Sequence, residues 1–475
     1  MNFKVLISAV LASLIAIVGC SSDSNGGDAG SGGSAGEGGA GGGGGGGGAP
    51  GTKDCSNLGG TGKYSIQGAP ATPPGGCTVT LTPSGGDDTE ALTMALEDAT
   101  SGNVICLGEG TFDVRGTLTI NGASQITLKG IGPSPDDVVL DYDAAPPGEG
   151  IGIEVATPGF TIENMSVKNT PGDSVVVRGD DVTFRKLFVM WDAGSVLENG
   201  KYGIFPRGAD NVLVEYSEVI GASDAGIYVG QFVGGIIRNN KASANVAGIE
   251  VENSQNIEVY DNEAYDNTSG ILAFELPGLA RTSDNVLIRD NDIYCNNRPN
   301  FAAEGSIVAA VPAGTGALVL AGERFEFRNN LIDGNDSTGV LIASSVILCQ
   351  LNEERPDCQT GWPDGYDPYP TKMFLNDNTF INNGQDPQGF LGLIAEMVLF
   401  TETLEDVIWD GYIAPPGEAD PEICLGLTDL PSYRDMTSDK CGAEVSVDDL
   451  GVCMVINNTT STEGRVCTLP ELEFP

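Results

Sequence analysis

Between Gly152 and about Gly384 the chain repeats one short unit, and this periodicity limits its fold more than any other feature. Each unit opens with a small residue and a few β-formers, turns, adds a second short strand and closes on Asn. The openings fall at Gly152, Ser174, Gly203, Gly226, Gly248, Gly270, Gly316 and Gly339, in steps of 22, 29, 23, 22, 22, 46 and 23 residues. On this reading the step of 29 holds an insertion and the step of 46 is two units long. Apolar alternation persists only over runs of three to five residues, the length of a short strand. No run in the repeat has the period and length of a helical crossover, so each strand must stack on its counterpart one turn onward. The expected fold is an all-β solenoid, a parallel β-helix, with Ile204, Ile227, Val229, Ile249, Val251 and Ile271 pointing inward as apolar ladders.

Asn recurs in pairs five residues apart, at Asn164 and Asn169, Asn240 and Asn245, Asn262 and Asn267, Asn330 and Asn335, and Asn378 and Asn383. Asn tolerates left-handed backbone, and its amide can bond its equivalent one coil away, so these columns resemble the asparagine ladders of right-handed β-helices. An open solenoid end needs a cover. Asp87 to Ala99 supplies an amphipathic helix with Ala91, Leu92, Ala95, Leu96 and Ala99 on one face, capped by Asp87 or Asp88 and stopped at Gly102. Three insertions, Trp191 to Lys201, 296–315 and 345–371, are expected to project from the coils and wall a groove.

Ahead of the repeat, residues 1–19 read as a signal peptide, with Lys4 followed by an apolar run too short to span a bilayer. It closes on Ile17-Val18-Gly19-Cys20, which resembles a bacterial lipobox and implies lipidation of Cys20. Ser21 after that Cys implies, by the same resemblance, an outer-membrane destination. Residues 20–52 form a Gly-rich tether, so the membrane is contacted only through the lipid anchor. The expected divisions of the remainder are a strand and helix cap at 53–103, the β-helix at 104–395 and a Cys-rich tail at 396–475. Setting Cys20 aside leaves ten of the eleven cysteines, an even number that predicts disulfides, with the tail stapled by some of them.

The chain has no histidine, which removes Ser-His-Asp and Cys-His nucleophiles, His-ligated zinc and imidazole acid/base catalysis together. A formal charge of −43 argues against nucleic acid as a partner. Carboxylate-dependent glycoside hydrolysis, β-elimination by an Arg, Lys or Tyr base, and binding without turnover remain open. The acidic turns Asp333-Gly334-Asn335-Asp336 and Asp261-Asn262-Glu263 are candidate Ca²⁺ ligands, although neither completes an EF-hand loop.

Residues 201–231, KYGIFPRGADNVLVEYSEVIGASDAGIYVGQ, with the cap and the Asn-bearing coils, resemble the bacterial right-handed parallel β-helix repeat lipoproteins over most of 85–475. The cap, with strand Val104 to Leu107 and the Gly110-Thr111-Phe112 turn, resembles that of pectate-lyase-like proteins. More distantly the chain is similar to the carbohydrate-binding and sugar-hydrolase β-helix group that includes mannuronan C-5 epimerases. Their Tyr-Gly-Ile-Asp-Pro-His-Asp stretch is matched here by Tyr202-Gly203-Ile204-Phe205-Pro206-Arg207-Gly208, without the catalytic Asp and His. The Gly-His-Gly element of polygalacturonase-type hydrolases is also missing. The resemblance implies the fold and a polysaccharide ligand, and it contradicts the known active sites.

Strand alternation sets Phe205, Tyr228, Glu250 and Leu272 in one outward column and Arg178, Arg207, Gly230, Glu252 and Phe274 in the next. Gly230 would leave a notch for a sugar ring between Arg207 and Glu252. Candidate catalytic groups are therefore Arg207, Arg178, Glu252 and Tyr228, with Phe205, Glu250, Lys201, Tyr202, Gln231 and an overhanging Trp191 as substrate contacts. The expected function is binding, and with it lyase, hydrolase or epimerase processing, of an extracellular or envelope polysaccharide. The rival is a non-catalytic lipoprotein that docks another secreted protein.

Overall fold

The computed structural model describes residues 52–474 except 57, 59–61, 73–75, 149, 352–360, 412–420 and 438–452. The signal peptide and Cys20 lie outside the described residues. No helix among those described is long and apolar enough to cross a membrane.

The body is a right-handed parallel β-helix. Each full coil gives three strands, as in Ala225–Gly230, Val233–Arg238 and Lys241–Ser243. The first joins an 11-stranded sheet, here sheet B, while the other two join a 20-stranded sheet, here sheet A, which bends into two faces. Pairing is parallel and without slippage: Ile227 faces Ile249, which faces Ile271, and Val229 faces Val251, which faces Ala273. Those ladders are fully buried in one continuous core that runs from Leu92 to Tyr433. A register shift of one residue would turn every one of these side chains outward, so the apolar ladder fixes the stacking.

Two amide ladders run inside the coils, one at the bend of sheet A and one at the corner where sheet A passes to sheet B. Asn240, Asn262, Asn291, Asn330 and Asn378 form one, and Asn245, Asn267, Asn296, Asn335 and Asn383 the other, each Nδ2 donating to the next Oδ1 at 2.9–3.0 Å. Asn291 and Asn296 complete the ladders, whereas Asn164 and Asn169 stand outside them: Asn164 donates to the carbonyls of Gly130 and Gly132, and Asn169 to Asp141 and Asp192. The left-handed backbone belongs to the residue before the ladder Asn, as at Asp261, Asp266, Asp290 and Cys295. Asn262 and Asn335 are committed to the ladders, and Asp333 accepts the Lys53 backbone N–H at 2.6 Å. The two acidic turns thus have structural partners, and among the described residues no three acidic or sulfur side chains converge as metal ligands would.

The cap helix spans Thr89–Glu97 and buries Leu92 and Leu96 over the first coil, with Asp88 at its N-cap. The step from Gly270 to Gly316 proves to be one coil, because Ile271 pairs directly with Ala317. Two corner insertions, before Asp284 and before Thr315, add the length that imitated a second unit. Sheet B also continues past residue 395, through Val407–Trp409 to Tyr433–Asp435. Disulfides join Cys55 to Cys295, Cys77 to Cys106 and Cys424 to Cys467. The first pins the N-terminal segment along the second face of sheet A, where Lys53 pairs with Asp292 and Tyr64 donates to the Tyr216 carbonyl.

Candidate active site on sheet B

The outer face of sheet B divides along its length. One outward column reads Val176, Phe205, Tyr228, Glu250, Leu272, Leu318, Leu341 and Ile408, the other Arg207, Gly230, Glu252, Phe274, Leu320 and Ala343. From Leu272 onward the face is apolar and roofed by the insertions, with Val308, Val311, Val346, Leu348, Leu391 and Ala395 packed on it. Upstream of that plug three carboxylates gather.

Glu250 and Glu252 rise from the strand Ala247–Glu252, two residues apart on the same side. Asp224 enters at the head of the preceding coil, where its backbone N–H donates to the Lys201 carbonyl. Glu250 is 2% exposed, and its Oε2 has no hydrogen-bond partner. Burial pushes the Glu250 carboxyl well above the usual carboxylate range, and the charges of Asp224 and Glu252 push it further. Burial also carries Asp224 up to about 7, against the pull of Lys201 and a hydrogen bond from Tyr202. Glu252 is raised by burial too, but the Tyr228 hydroxyl, donating at 2.6 Å, and the Arg207 charge hold it back. Burial thus raises the proton affinity of all three acids in one wall, and Lys201, Tyr202, Tyr228 and Arg207 oppose it at Asp224 and Glu252.

Tyr202, Phe205 and Tyr228 form the apolar side of this wall, with ring centroids 4.4–4.8 Å apart. Lys201 and Arg207 are exposed at its edge. The structure therefore brings together Phe205, Arg207, Tyr228, Glu250 and Glu252 as the column alternation requires, with Lys201 and Tyr202 beside them at the head of their coil. Four expectations fail. The notch at Gly230 is filled, since a Cβ there would sit 2.3 Å from Cε1 of Tyr228, whose ring folds over the glycine to reach Glu252. Arg178 adjoins Arg207 in the column but spends its guanidinium on Glu154 at 2.6 Å. Trp191 does not overhang the site: it is 4% exposed in the core, with its indole N–H on the Thr170 carbonyl. Gln231 accepts the Ala280 N–H at 3.3 Å and so braces the next insertion.

Asp224 is the group that column reasoning left without a role, because it precedes the strand. A signal was present: Asp224 stands at the coil-opening position that Lys201 holds one coil earlier, where later coils have Val246 and Thr268.

Fold and site together define a right-handed parallel β-helix that carries a titratable wall on one sheet. Residues 149–350 match the family model described as right handed beta helix region. No curated protein matches the sequence. Among solved structures, the chain is similar to the A-module of the mannuronan C-5 epimerase AlgE4 from Azotobacter vinelandii, at 15% identity and TM-score 0.46, covering 69% of this chain and 88% of that one. It is similar to the catalytic unit of a thermostable GH87 alpha-1,3-glucanase from Streptomyces thermodiastaticus strain HF3-3, at 15% identity and TM-score 0.43, covering 74% of this chain and 53% of that one. The polygalacturonase from Erwinia carotovora ssp. carotovora shares 15% identity at TM-score 0.36, covering 67% of this chain and 97% of that one.

Proposed function

We propose that this protein binds and hydrolyses an extracellular or envelope polysaccharide at the sheet B wall, and that lipidated Cys20 and its Gly-rich tether hold it at the outer membrane. The observation that carries the catalytic reading is the set Asp224, Glu250 and Glu252, buried beside aromatic rings under two exposed cations. Asp224, with its pKa at about 7, is suited to give a proton to the glycosidic oxygen as the bond to the anomeric carbon breaks. Glu252, kept ionisable by Arg207 and Tyr228, takes a proton from the water that attacks that carbon. Glu250, buried between them with its Oε2 unpartnered, is a positioning group. Lys201 and Arg207 at the edge favour a sugar that carries a carboxylate.

The test is a screen of the body lacking residues 1–51 against polyuronates and neutral glucans, with reducing ends and ultraviolet-absorbing unsaturated products measured together. Hydrolysis predicts reducing ends alone, lost by a factor of about 10² or more in Asp224→Asn and in Glu252→Gln with substrate binding kept. Turnover should also fall as pH rises through about 7, where Asp224 loses its proton. Unsaturated products, or full turnover in both variants, would remove the carboxylate mechanism.

A further inference from the structure

The carboxylate wall stands at the closed end of a groove. Downstream, Leu272 and Phe274 are 0% and 1% exposed beneath the roof, and the space left between roof and sheet, lined by Phe274, Leu320 and Phe390, is 30 Å³. That holds about one or two water molecules and no sugar ring. Along the edge where the strands of sheet B begin, the insertion that starts at Trp191 runs beside the wall from coil to coil. The Asp192 backbone N–H donates to Asn169 Oδ1 at 2.8 Å, and Ser195 Oγ donates to the Ala244 carbonyl at 2.6 Å. Asn169 precedes the strand Val175–Val177 and Ala244 precedes Ala247–Glu252, so the insertion spans every coil of the wall. Along the opposite edge, residues 276–283 turn back upstream and are tied to three successive earlier coils. Asn253 Nδ2 donates to the Arg281 carbonyl at 2.6 Å, Gln231 accepts the Ala280 N–H at 3.3 Å, and the Arg281 guanidinium pairs with Asp210 at 2.9 Å.

The fourth side is open. Upstream of the wall the outward column of Arg207 continues through Arg178, Ala156 and Asn121, all exposed, and that of Phe205 through Val176, Glu154 and Thr119. From Glu252 to Asn121 this track crosses six strands of sheet B, so at roughly 4.8 Å per step it is about 24 Å long. An extended polymer in a groove walled on both edges lies along the columns, with its end against the roof.

We infer that the protein attacks its polysaccharide from a chain end: the polymer lies on the upstream track, its terminal sugars fill the blind end, and each turnover releases a mono- or disaccharide. This rests on the hydrolytic reading above. Glu252 and Phe274 are paired in adjacent strands, roughly 5 Å apart, so on the order of one or two sugars fit past the cleaved bond. Each cut adds the hydroxyl of water to the anomeric carbon, its proton passing to Glu252, while the glycosidic oxygen leaves with the proton of Asp224.

The test gives the full chain polygalacturonate and alginate and follows product size from the earliest cleavage, together with viscosity. Chain-end attack yields mono- and disaccharides throughout and leaves viscosity high while reducing ends accumulate. A ladder of longer oligosaccharides with an early fall in viscosity would overturn the inference and leave the hydrolytic reading standing. Binding is measured separately in Asp224→Asn, where cleavage is suppressed. The protein bound per polymer chain at saturation should be the same for short and long polygalacturonate, and growth in proportion to length would also overturn the inference. Ala156→Glu, exposed on the track and four strands from Glu252, should weaken polygalacturonate binding at least tenfold with an unchanged melting temperature. Unchanged binding in that variant would remove the track. Absence of both binding and reducing ends with either polymer would take down the hydrolysis of polyuronates and the inference with it.

Discussion

The two halves of sheet B share one backbone and one register, yet their outer faces have opposite characters. Downstream, Leu272, Leu318, Leu341 and Ile408 are covered by insertions and act as a second core. Upstream, Phe205, Tyr228 and Glu250 occupy the same column, almost as deeply buried, but with two aromatic rings and a carboxylate in place of leucines. Burial at equivalent positions therefore does different work. It stabilises where the side chain is apolar, and where it is acidic it moves the proton affinity at the expense of stability.

Exchanging the characters of the two halves tests this most severely. Leu272→Glu would set an unpaired carboxyl at a fully buried position in the apolar half and should cost about 4 kcal/mol or more, read by denaturant unfolding. The reverse exchange, Glu250→Leu, removes an unpartnered buried carboxyl and should raise stability by about 1–2 kcal/mol while turnover is lost. If both substitutions destabilise equally, the upstream acids are structural and the contrast collapses.

The pH dependence of stability is the next test in size. Asp224 and Glu250 bind protons more tightly in the folded chain than an ordinary carboxylate does. Burying them therefore costs least below about pH 4, where both are protonated folded or unfolded, and stability falls as pH rises from there through about 7. On the order of 2–3 kcal/mol should be lost across that window. Asp224→Asn should therefore flatten the melting temperature between pH 5 and about 7.

Much of this was legible in the chain because a solenoid converts sequence period directly into spatial neighbourhood. The outward columns from Phe205 to Leu272 and from Arg207 to Phe274 follow from alternation alone, and the paired strands confirm them. The failures come where a side chain or an insertion leaves that one-dimensional rule. Tyr228 bends sideways over Gly230, and alternation carries no information about rotamers. The coil after Gly270 was read as two because its corner insertions together matched one period, and sequence length does not separate an inserted loop from an extra turn. Trp191 lies at the start of an insertion but turns inward to the Thr170 carbonyl, a choice set by the buried space available to its ring. Asp224 is placed near the site by its position in the coil but receives no role there, because corner residues lack a facing rule, whereas the strand residues beside it have one.

Arg207 offers the finest test of the upstream half. It is exposed at the edge of the wall and acts on Glu252 through space, keeping that carboxyl from rising further. A solvent-screened interaction of this kind contributes little to folding, so Arg207→Ala should shift stability by no more than about 0.5 kcal/mol. Its loss should raise the proton affinity of Glu252 and move the acidic limb of any pH–rate profile upward, since a base must be ionised to work. Added salt should reproduce the shift in the unmodified chain and have less effect in the variant. A profile that stays put in Arg207→Ala would detach Glu252 from its cation, and with it the distinction between the acid at 224 and the base at 252.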